Sequence, residues 1–177
     1  MVEKTKEYIF DGDIFQCVVS RRFEADYKNS LINAYRVLRS TNPSPYMVYM
    51  SIDGDEIIST SPETLVKLQS GVLNTFPIAG SRPRGKTDTE DNALADELIH
   101  DEKELAEHNM LVDLGRNDIG KISEFNSVKV TKYQEVLRYS KIMHICSEVE
   151  GKLKDGLDAF DAIESLLPAG TLSGAPK

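Results

Sequence analysis

The chain has 177 residues, of which 40% are apolar and 28% are charged, a balance typical of one soluble globular domain. Its 29 acidic residues outnumber the 21 basic ones, and the net charge of −8 argues against a nucleic-acid partner. No apolar run approaches the ~20 residues of a membrane span, and the first residues lack the apolar segment of a signal peptide. These features predict a cytoplasmic protein with no membrane partner.

No repeat, linker or change of composition marks a domain boundary, so we expect residues 1–177 to belong to one domain. Cys17 and Cys146 are isolated in apolar stretches, which predicts two buried and reduced thiols. Residues 2–9 have too few apolar positions for a core helix, and the turn at 11–13 ends them. The apolar, β-branched run 14–23 predicts a mostly buried strand.

An amphipathic helix is predicted over residues 30–40, where four apolar or aromatic residues fall at i, i+3, i+4 and i+7: Leu31, Ala34, Tyr35 and Leu38. Pro43 and Pro45 then stop this helix. Two hairpins are expected next, turning at Asp53-Gly54 and at Ser70-Gly71. Their strands are predicted over 46–52 and 56–60, and over 64–69 and 72–77.

A long helix is predicted over 89–117, strands over 127–138 and 142–150, and a short helix over 158–166. Helices placed among hairpin-connected strands indicate an α+β fold with antiparallel sheets. Between the second hairpin and the long helix lies PIAGSRPRG (77–85), which has two prolines, two glycines and two arginines. This composition favours a rigid loop that binds a small anion, or else a surface loop with solvated arginines.

Three further residues are candidates for chemistry. Glu107 shares a helix face with apolar residues, and burying an unpaired carboxylate there is costly. It therefore either meets a cation or metal ion, or lies at the edge of the apolar face and pairs with an arginine or lysine. Glu63 precedes a strand and could point into a cleft or lie on the surface. His144 sits in an apolar run, where a histidine is more often a core residue than an acid or base. His100 and His108 lie in charged helical surroundings, and we expect no role for them.

Seven ordered segments resemble the chorismate-utilising enzymes, and most of all the large subunits of anthranilate synthases. They are GDIFQCVVSRRF (12–23), NPSPYM (42–47), SPE (61–63), PIAGSRPRG (77–85), DEKELAEHNMLVDLGRNDIG (101–120), MHICSEVEG (143–151) and PAGTLSGAPK (168–177). The resemblance implies antiparallel sheets in a two-layer sandwich flanked by helices, a Mg²⁺ cofactor and chorismate as substrate.

The resemblance also implies roles for single residues. Glu107 matches a glutamate that ligates Mg²⁺, and Glu63 matches a carboxylic acid that helps the C4 hydroxyl leave. His144 matches a histidine near that leaving group. Gly80 and Ser81 match a Gly-Thr pair that contacts the substrate, so the arginines of the same segment are expected mainly to brace it through ion pairs.

Two positions bear on the reaction. Isochorismate-forming relatives carry a lysine base at the position of Gln16, and a neutral glutamine disfavours water as the nucleophile. Aminodeoxychorismate synthases tend to carry a nucleophilic lysine where this chain has Ala79. The resemblance therefore implies that ammonia, supplied by a glutamine amidotransferase partner, attacks C2 and that anthranilate is the product.

The segment NPSPYM resembles the tryptophan feedback site of anthranilate synthases, which implies Pro45, Tyr46 and Met47 as regulatory residues; a helix stop before a strand would explain the same pattern. Family members extend beyond both ends of this chain, so we expect a chorismate-binding domain that is incomplete and nearly inactive alone. Two alternatives stay open, an aminodeoxychorismate synthase and a non-catalytic tryptophan-sensing module of the same fold.

Overall fold

The computed structural model describes residues 1–14 and 16–170. In this part the helices are α1 (Val2–Phe10), α2 (Ile32–Thr41), α3 (Asp88–His100), α4 (Glu102–Gly120) and α5 (Ala159–Leu166). The strands are β1 (Tyr46–Ile52), β2 (Asp55–Ser61), β3 (Lys67–Gln69), β4 (Val72–Thr75), β5 (Ile78–Pro83), β6 (Lys129–Arg138) and β7 (Ile142–Lys152). All strand pairings are antiparallel, which confirms the α+β fold class.

The chain divides into two compact units, and the smaller one comprises Val19–Glu63. It contains the hairpin β1–β2, which turns at Asp53 and Gly54 with φ angles of 52° and 91°. The hydroxyl of Tyr35 on α2 donates to the carbonyl oxygen of Met47 on β1 at 3.3 Å, so the helix lies against the hairpin. The predicted helix and the first predicted hairpin are therefore confirmed.

The strand predicted over 14–23 is wrong. Residues 16–23 adopt no regular structure and are mostly exposed, and the thiol of Cys17 is exposed as well. An apolar and β-branched run forms a strand only where a neighbouring edge accepts its backbone hydrogen bonds, and no described strand pairs with this run. Phe15 lies outside the described residues.

The larger unit is built on the long strand β7 of a five-stranded sheet. One edge of β7 pairs with β6, and the other edge pairs with β5 near its start and with β4 near its end. The hairpin β3–β4 confirms the second predicted hairpin with shorter strands. The loop predicted over 77–85 is wrong, because β5 occupies most of this segment and pairs with β7.

The long helix predicted over 89–117 is divided at Asp101. This residue has φ −76° and ψ 106°, so it ends α3 and begins α4, and its carboxylate accepts hydrogen bonds from the backbone of Lys103 and Glu104. An aspartate satisfies the unpaired N–H groups of a helix start, which offsets the interruption. Such a local capping bond is invisible to apolar periodicity.

α4 packs against β5 and β7, and apolar side chains from α3, α4 and the sheet fill the interior. Cys146 on β7 is buried there, as predicted. A capping box at Asp158 begins α5, which confirms the predicted short helix. None of the described helices is long and apolar enough to cross a membrane. Residues 171–177 of the last resemblance segment lie outside the described residues, and the stacking of sheets into a sandwich stays a prediction.

Candidate functional site

A bulge in β5 brings three of the predicted site residues together. The register between β5 and β7 shifts between Ala79 and Ser81, so Gly80 has no direct partner and Ser81 lies opposite His144. Gly80 has a φ of 77°, in the left-handed region that glycine adopts without steric cost. The Nδ1 atom of His144 lies 3.3 Å from the Gly80 carbonyl oxygen. The strand pair therefore holds a backbone kink, a hydroxyl and an imidazole within one small area.

His144 also contacts an aromatic ring that the sequence analysis did not single out. The ring of Tyr139 meets the imidazole edge-on, with 5.8 Å between the centroids. Burial, together with the neighbouring Cys146, raises the pKa of the Tyr139 hydroxyl. Tyr139 therefore stays neutral at physiological pH and packs beside His144 as an uncharged neighbour.

The start of α4 closes one side of the bulge. A side chain added at Gly80 would lie 3.2 Å from both Cβ and Oε2 of Glu104, so the Glu104 carboxylate lies beside the kink. Only 16% of the Glu104 side chain is exposed, and Lys103 pairs with its carboxylate at 3.2 Å. Glu104 precedes Glu107 by one helical turn and so shares its face, and this spacing is the sequence signal that could have identified it.

Glu107 lies one turn further along α4 and is half-buried. Carboxylate oxygens suit Mg²⁺, which proteins often bind through one or two carboxylates together with water and substrate oxygens. No cluster of three His, Cys, Asp or Glu side chains that could hold a metal ion occurs in residues 1–14 and 16–170. The donors on α4 therefore fit Mg²⁺ in kind and would supply part of its coordination shell.

His108 contradicts the expectation of charged surroundings, because it is completely buried. Its Nε2 lies 2.6 Å from the hydroxyl oxygen of Ser147 on β7. Burial lowers the pKa of His108, an effect that the nearby backbone of Ala79 partly opposes, although Nδ1 makes no hydrogen bond of normal geometry with any of the described residues. Helical spacing could have placed this histidine in the core, since the buried face of α4 continues from it at i+4, i+7 and i+11: Val112, Gly115 and Ile119.

The arginines of PIAGSRPRG form ion pairs that brace β5, as the sequence analysis expected. Arg82 contacts Glu97 at 2.9 Å and Asp101 at 2.8 Å. Arg84 contacts Asp91 at 2.7 Å and also donates to the Tyr139 carbonyl. These contacts use the guanidinium donors within the protein, so the anion-binding interpretation of the two arginines loses its support.

The other predicted residues lie elsewhere. Gln16 is half-buried in a segment without regular structure. Glu63 is exposed at the end of the smaller unit, where its backbone N–H donates to the Ser61 hydroxyl. Pro45 and Tyr46 are exposed at the start of β1, and Met47 is half-buried. The roles that the resemblance implies for these residues stay predictions.

Comparisons with known proteins agree with the resemblance. A family model described as chorismate binding enzyme matches residues 1–177. Anthranilate synthase component 1 from Acetivibrio thermocellus is 53% identical over 99% of this chain and 36% of that protein. Aminodeoxychorismate synthase component 1 from Bacillus subtilis (strain 168) is 51% identical over 99% of this chain and 37% of that protein.

A solved structure extends the likeness to three dimensions. Anthranilate synthase component I from Streptococcus pneumoniae TIGR4 matches with a TM-score of 0.87 and 50% identity, over 99% of this chain and 38% of that one. This chain thus spans between a third and two fifths of the length of these relatives, at 36% to 38%.

Proposed function

Because the chain belongs to the family of chorismate-binding enzymes, we propose that it takes part in the reaction of an anthranilate synthase component 1 in the cytoplasm. The observation that carries this proposal is the combination of about half identical residues with the same fold as an anthranilate synthase component, at a TM-score of 0.87. The bulge at Gly80 and the histidine opposite it would form part of the chorismate site.

The proposed reaction converts chorismate and ammonia into anthranilate, pyruvate and water. The nitrogen lone pair forms a bond to C2, and the electrons of the ring shift so that the C4 hydroxyl leaves. That hydroxyl takes up a proton and departs as water. Loss of a ring proton then expels the enolpyruvyl group, which becomes pyruvate as it gains a proton, and the ring becomes aromatic.

The residues of the site suit separate parts of this sequence. The Gly80 bulge exposes backbone groups and brings the Ser81 hydroxyl alongside, and both can hold an oxygen of the substrate by hydrogen bonds. His144 can hold and move a proton near the leaving group, and Glu63 is proposed as the acid that protonates the C4 hydroxyl. Gln16 is proposed as a neutral contact that does not activate water.

Glu107 is the proposed protein ligand for Mg²⁺, and the Glu104 carboxylate beside Gly80 adds negative charge on the same helix face. When bound, the ion supplies positive charge that binds and polarises a carboxylate of the substrate. The lysine paired with Glu104 is 80% exposed and so can move aside without a large packing cost. The bulge and the start of α4 would then face the same substrate.

Two further molecules belong to the proposal. Ammonia would come from a glutamine amidotransferase partner, and tryptophan would act as a feedback inhibitor. Pro45, Tyr46 and Met47 are the proposed regulatory residues, on β1 and the turn that precedes it. Tryptophan binding is measurable by calorimetry, and substitution of Met47 by Thr should weaken it if the segment forms that site.

The experiment that tests the reaction uses the complete gene product with chorismate, Mg²⁺ and an ammonium salt. We expect fluorescent anthranilate and one equivalent of pyruvate. Formation of 4-amino-4-deoxychorismate without pyruvate would contradict the proposal. A reaction mixture without ammonia is the control, and it should form neither product.

An aminodeoxychorismate synthase is the second candidate, because a relative of that name is 51% identical. The residue at position 79 argues against it. Aminodeoxychorismate synthases tend to carry a lysine nucleophile there, whereas Ala79 offers no amine and is 9% exposed. The product assay separates the two candidates directly, and mass spectrometry of the protein after incubation with chorismate should find no covalent adduct.

A further inference from the structure

A set of polar contacts ties the middle of α4 to the sheet immediately after Glu107. The Nε2 atom of His108 lies 2.6 Å from the Ser147 hydroxyl, and both side chains are buried. The next residue, Asn109, accepts hydrogen bonds from the Tyr133 hydroxyl at 2.7 Å and from the side-chain amide of Gln134 at 3.0 Å. Consecutive residues of the helix are thus held by two neighbouring strands, β7 and β6.

The strand β6 is shaped for these contacts. Its register with β7 shifts between Lys132 and Glu135, so two residues of β6 face Ser147. One of them, Gln134, has a φ of 55°, a strained conformation for a residue that is not glycine. Its backbone N–H, which the irregular ladder would leave unpaired, donates to the Ser147 hydroxyl at 3.0 Å. Ser147 therefore links the bulge of β6 to the histidine of α4.

The direction of the hydrogen bonds follows from this geometry. The Ser147 oxygen accepts from Gln134, and its own proton needs an acceptor, which the Nε2 atom of a neutral His108 supplies. His108 is therefore an acceptor whose position is fixed by one hydroxyl, and loss of that hydroxyl would leave Nε2 without this hydrogen bond.

We propose that His108 is a positioning residue for Glu107, which it holds through Ser147 at a fixed height above the strands that carry Gly80 and His144. The inference rests on the proposed function, in which Glu107 ligates Mg²⁺. A helix bound only by apolar contacts can slide and rotate slightly, whereas a buried hydrogen bond at the next residue sets the position of the carboxylate. Groups that orient a metal ligand without touching the metal affect its affinity by roughly 10- to 100-fold.

The chain offers a matched control at the other end of the helix. Ser123 is buried, and its hydroxyl donates to the Ile119 carbonyl at 2.7 Å. Ser123→Ala therefore removes a buried hydroxyl that also contacts α4, but more than three turns beyond Glu107. Ser147→Ala and Ser123→Ala should lower the midpoint of thermal unfolding by similar amounts when Mg²⁺ is absent.

The test compares Mg²⁺ binding to the complete gene product by titration calorimetry, with chorismate present and ammonia absent. Ser147→Ala should weaken Mg²⁺ binding about tenfold, and Ser147→Thr, which keeps the hydroxyl, should restore most of the affinity. Ser123→Ala should change the affinity less than about twofold. Equal losses in both alanine variants, or an unchanged affinity in Ser147→Ala, would overturn the proposal.

A milder variant covers the case in which Ser147→Ala does not fold. Tyr133 is 53% exposed, so Tyr133→Phe removes only the hydroxyl that donates to Asn109. It should weaken Mg²⁺ binding by about two- to threefold without altering the unfolding midpoint; an unchanged affinity would count against the positioning role. A product other than anthranilate would refute the proposed function alone, whereas absence of Mg²⁺ binding by the unmodified protein would refute both.

Discussion

The Nδ1 atom of His144 lies 3.3 Å from the carbonyl oxygen of Gly80, across the two strands of the bulge. A carbonyl oxygen only accepts hydrogen bonds, so this contact favours a ring with its proton on Nδ1. Nε2 is then the nitrogen that can accept or deliver a proton. The kink at Gly80 thus does two things, because it displaces Ser81 into register with His144 and it orients the imidazole.

Substitution of Gly80 tests the importance of the bulge. Gly80→Ala forces a left-handed backbone on alanine and brings its Cβ to 3.1 Å from Ile145 and 3.2 Å from Glu104. The control is Gly71→Ala, where the backbone has the same kind of conformation, φ 78°, but no atom of the described residues lies within 4 Å of the added Cβ. We expect a loss in unfolding free energy of about 1 kcal/mol for Gly71→Ala and of roughly 2–3 kcal/mol for Gly80→Ala, measured by urea denaturation.

Chorismate binding separates the two variants further. Gly80→Ala should abolish measurable binding in calorimetry, since it fills the space beside the kink, while Gly71→Ala should bind as the unmodified complete gene product does. Equal stability of the two variants, or unaltered chorismate binding by Gly80→Ala, would show that the bulge tolerates a side chain.

Substitution of His144 tests its role in proton transfer. His144→Asn removes the titratable ring but keeps a polar side chain on β7, so we expect kcat to fall by roughly 10²- to 10⁴-fold with ammonia as the nitrogen source. KM for chorismate should change much less. His100→Asn is the control, since the His100 side chain is 70% exposed and its contacts with the described residues are to Asp96 on its own helix. A drop in kcat below tenfold for His144→Asn would exclude general acid–base work by this residue.

The sequence predicted well those elements whose signal is local. The hairpin at Asp53-Gly54 needs only a two-residue turn with positive φ angles, and the four residues whose spacing predicted the helix are half-buried, while the other residues of 31–40 are exposed. Residues 16–23 show the opposite case. Their β-branched composition predicts a strand, but a strand also requires a partner edge, and this requirement is a property of the fold and not of the segment.

The candidate site divides in the same way. The resemblance named Gly80, Ser81 and His144, and the register of two strands brings them together. The places of Glu104 beside Gly80 and of His108 in the core were not predicted, because they depend on which face of α4 meets the sheet. The break at Asp101 sets the start of that helix. The carboxylate of this residue accepts hydrogen bonds from two backbone N–H groups and from the Arg82 guanidinium. Apolar periodicity contains no information on such a contact.

Asp91 makes the free energy of unfolding depend on pH in the acidic range. Hydrogen bonds from Arg84, then from the backbone of Gly85 and from Arg138, hold the pKa of its carboxyl well below the usual range. A group with a lowered pKa in the folded state binds fewer protons there than when unfolded, so it stabilises the fold above the unfolded pKa of about 4. That stabilisation is lost as the pH falls below about 4.

Urea denaturation of the chain at several pH values measures this effect. Asp91→Asn should be less stable than the unmodified chain at pH 7, and the difference should shrink toward pH 2. Asp113→Asn removes a carboxylate that is 65% exposed and paired with Arg116, and it should show almost no such difference. If the difference in stability between Asp91→Asn and the unmodified chain does not change with pH, the lowered pKa of Asp91 is not what stabilises the fold.

The two thiols should differ strongly in reactivity. Cys17 is exposed, whereas Cys146 is buried, and burial raises the pKa of the Cys146 thiol to about 11. Because the thiolate is the reactive form, iodoacetamide at pH 8 should label Cys17 readily and Cys146 only after unfolding in urea. Mass spectrometry of proteolytic peptides identifies the labelled residue. Cys17→Ser should abolish labelling of the folded chain, and rapid labelling that persists would show that Cys146 is accessible.

Glu107 is the residue on which the magnesium proposal depends. Glu107→Gln keeps the shape of the side chain and its place on α4 but removes the negative charge. We expect Mg²⁺ affinity to fall by roughly 10- to 100-fold, the loss that is typical when a group that supports a metal ligand is removed. Glu102→Gln is the matched control, since Glu102 is an exposed glutamate in the first turn of the same helix. Calorimetric titration of Mg²⁺ in the presence of chorismate measures both variants. Similar affinities for the two would mean that α4 supplies general negative charge and no specific ligand, because only a direct ligand distinguishes one carboxylate from another on the same helix.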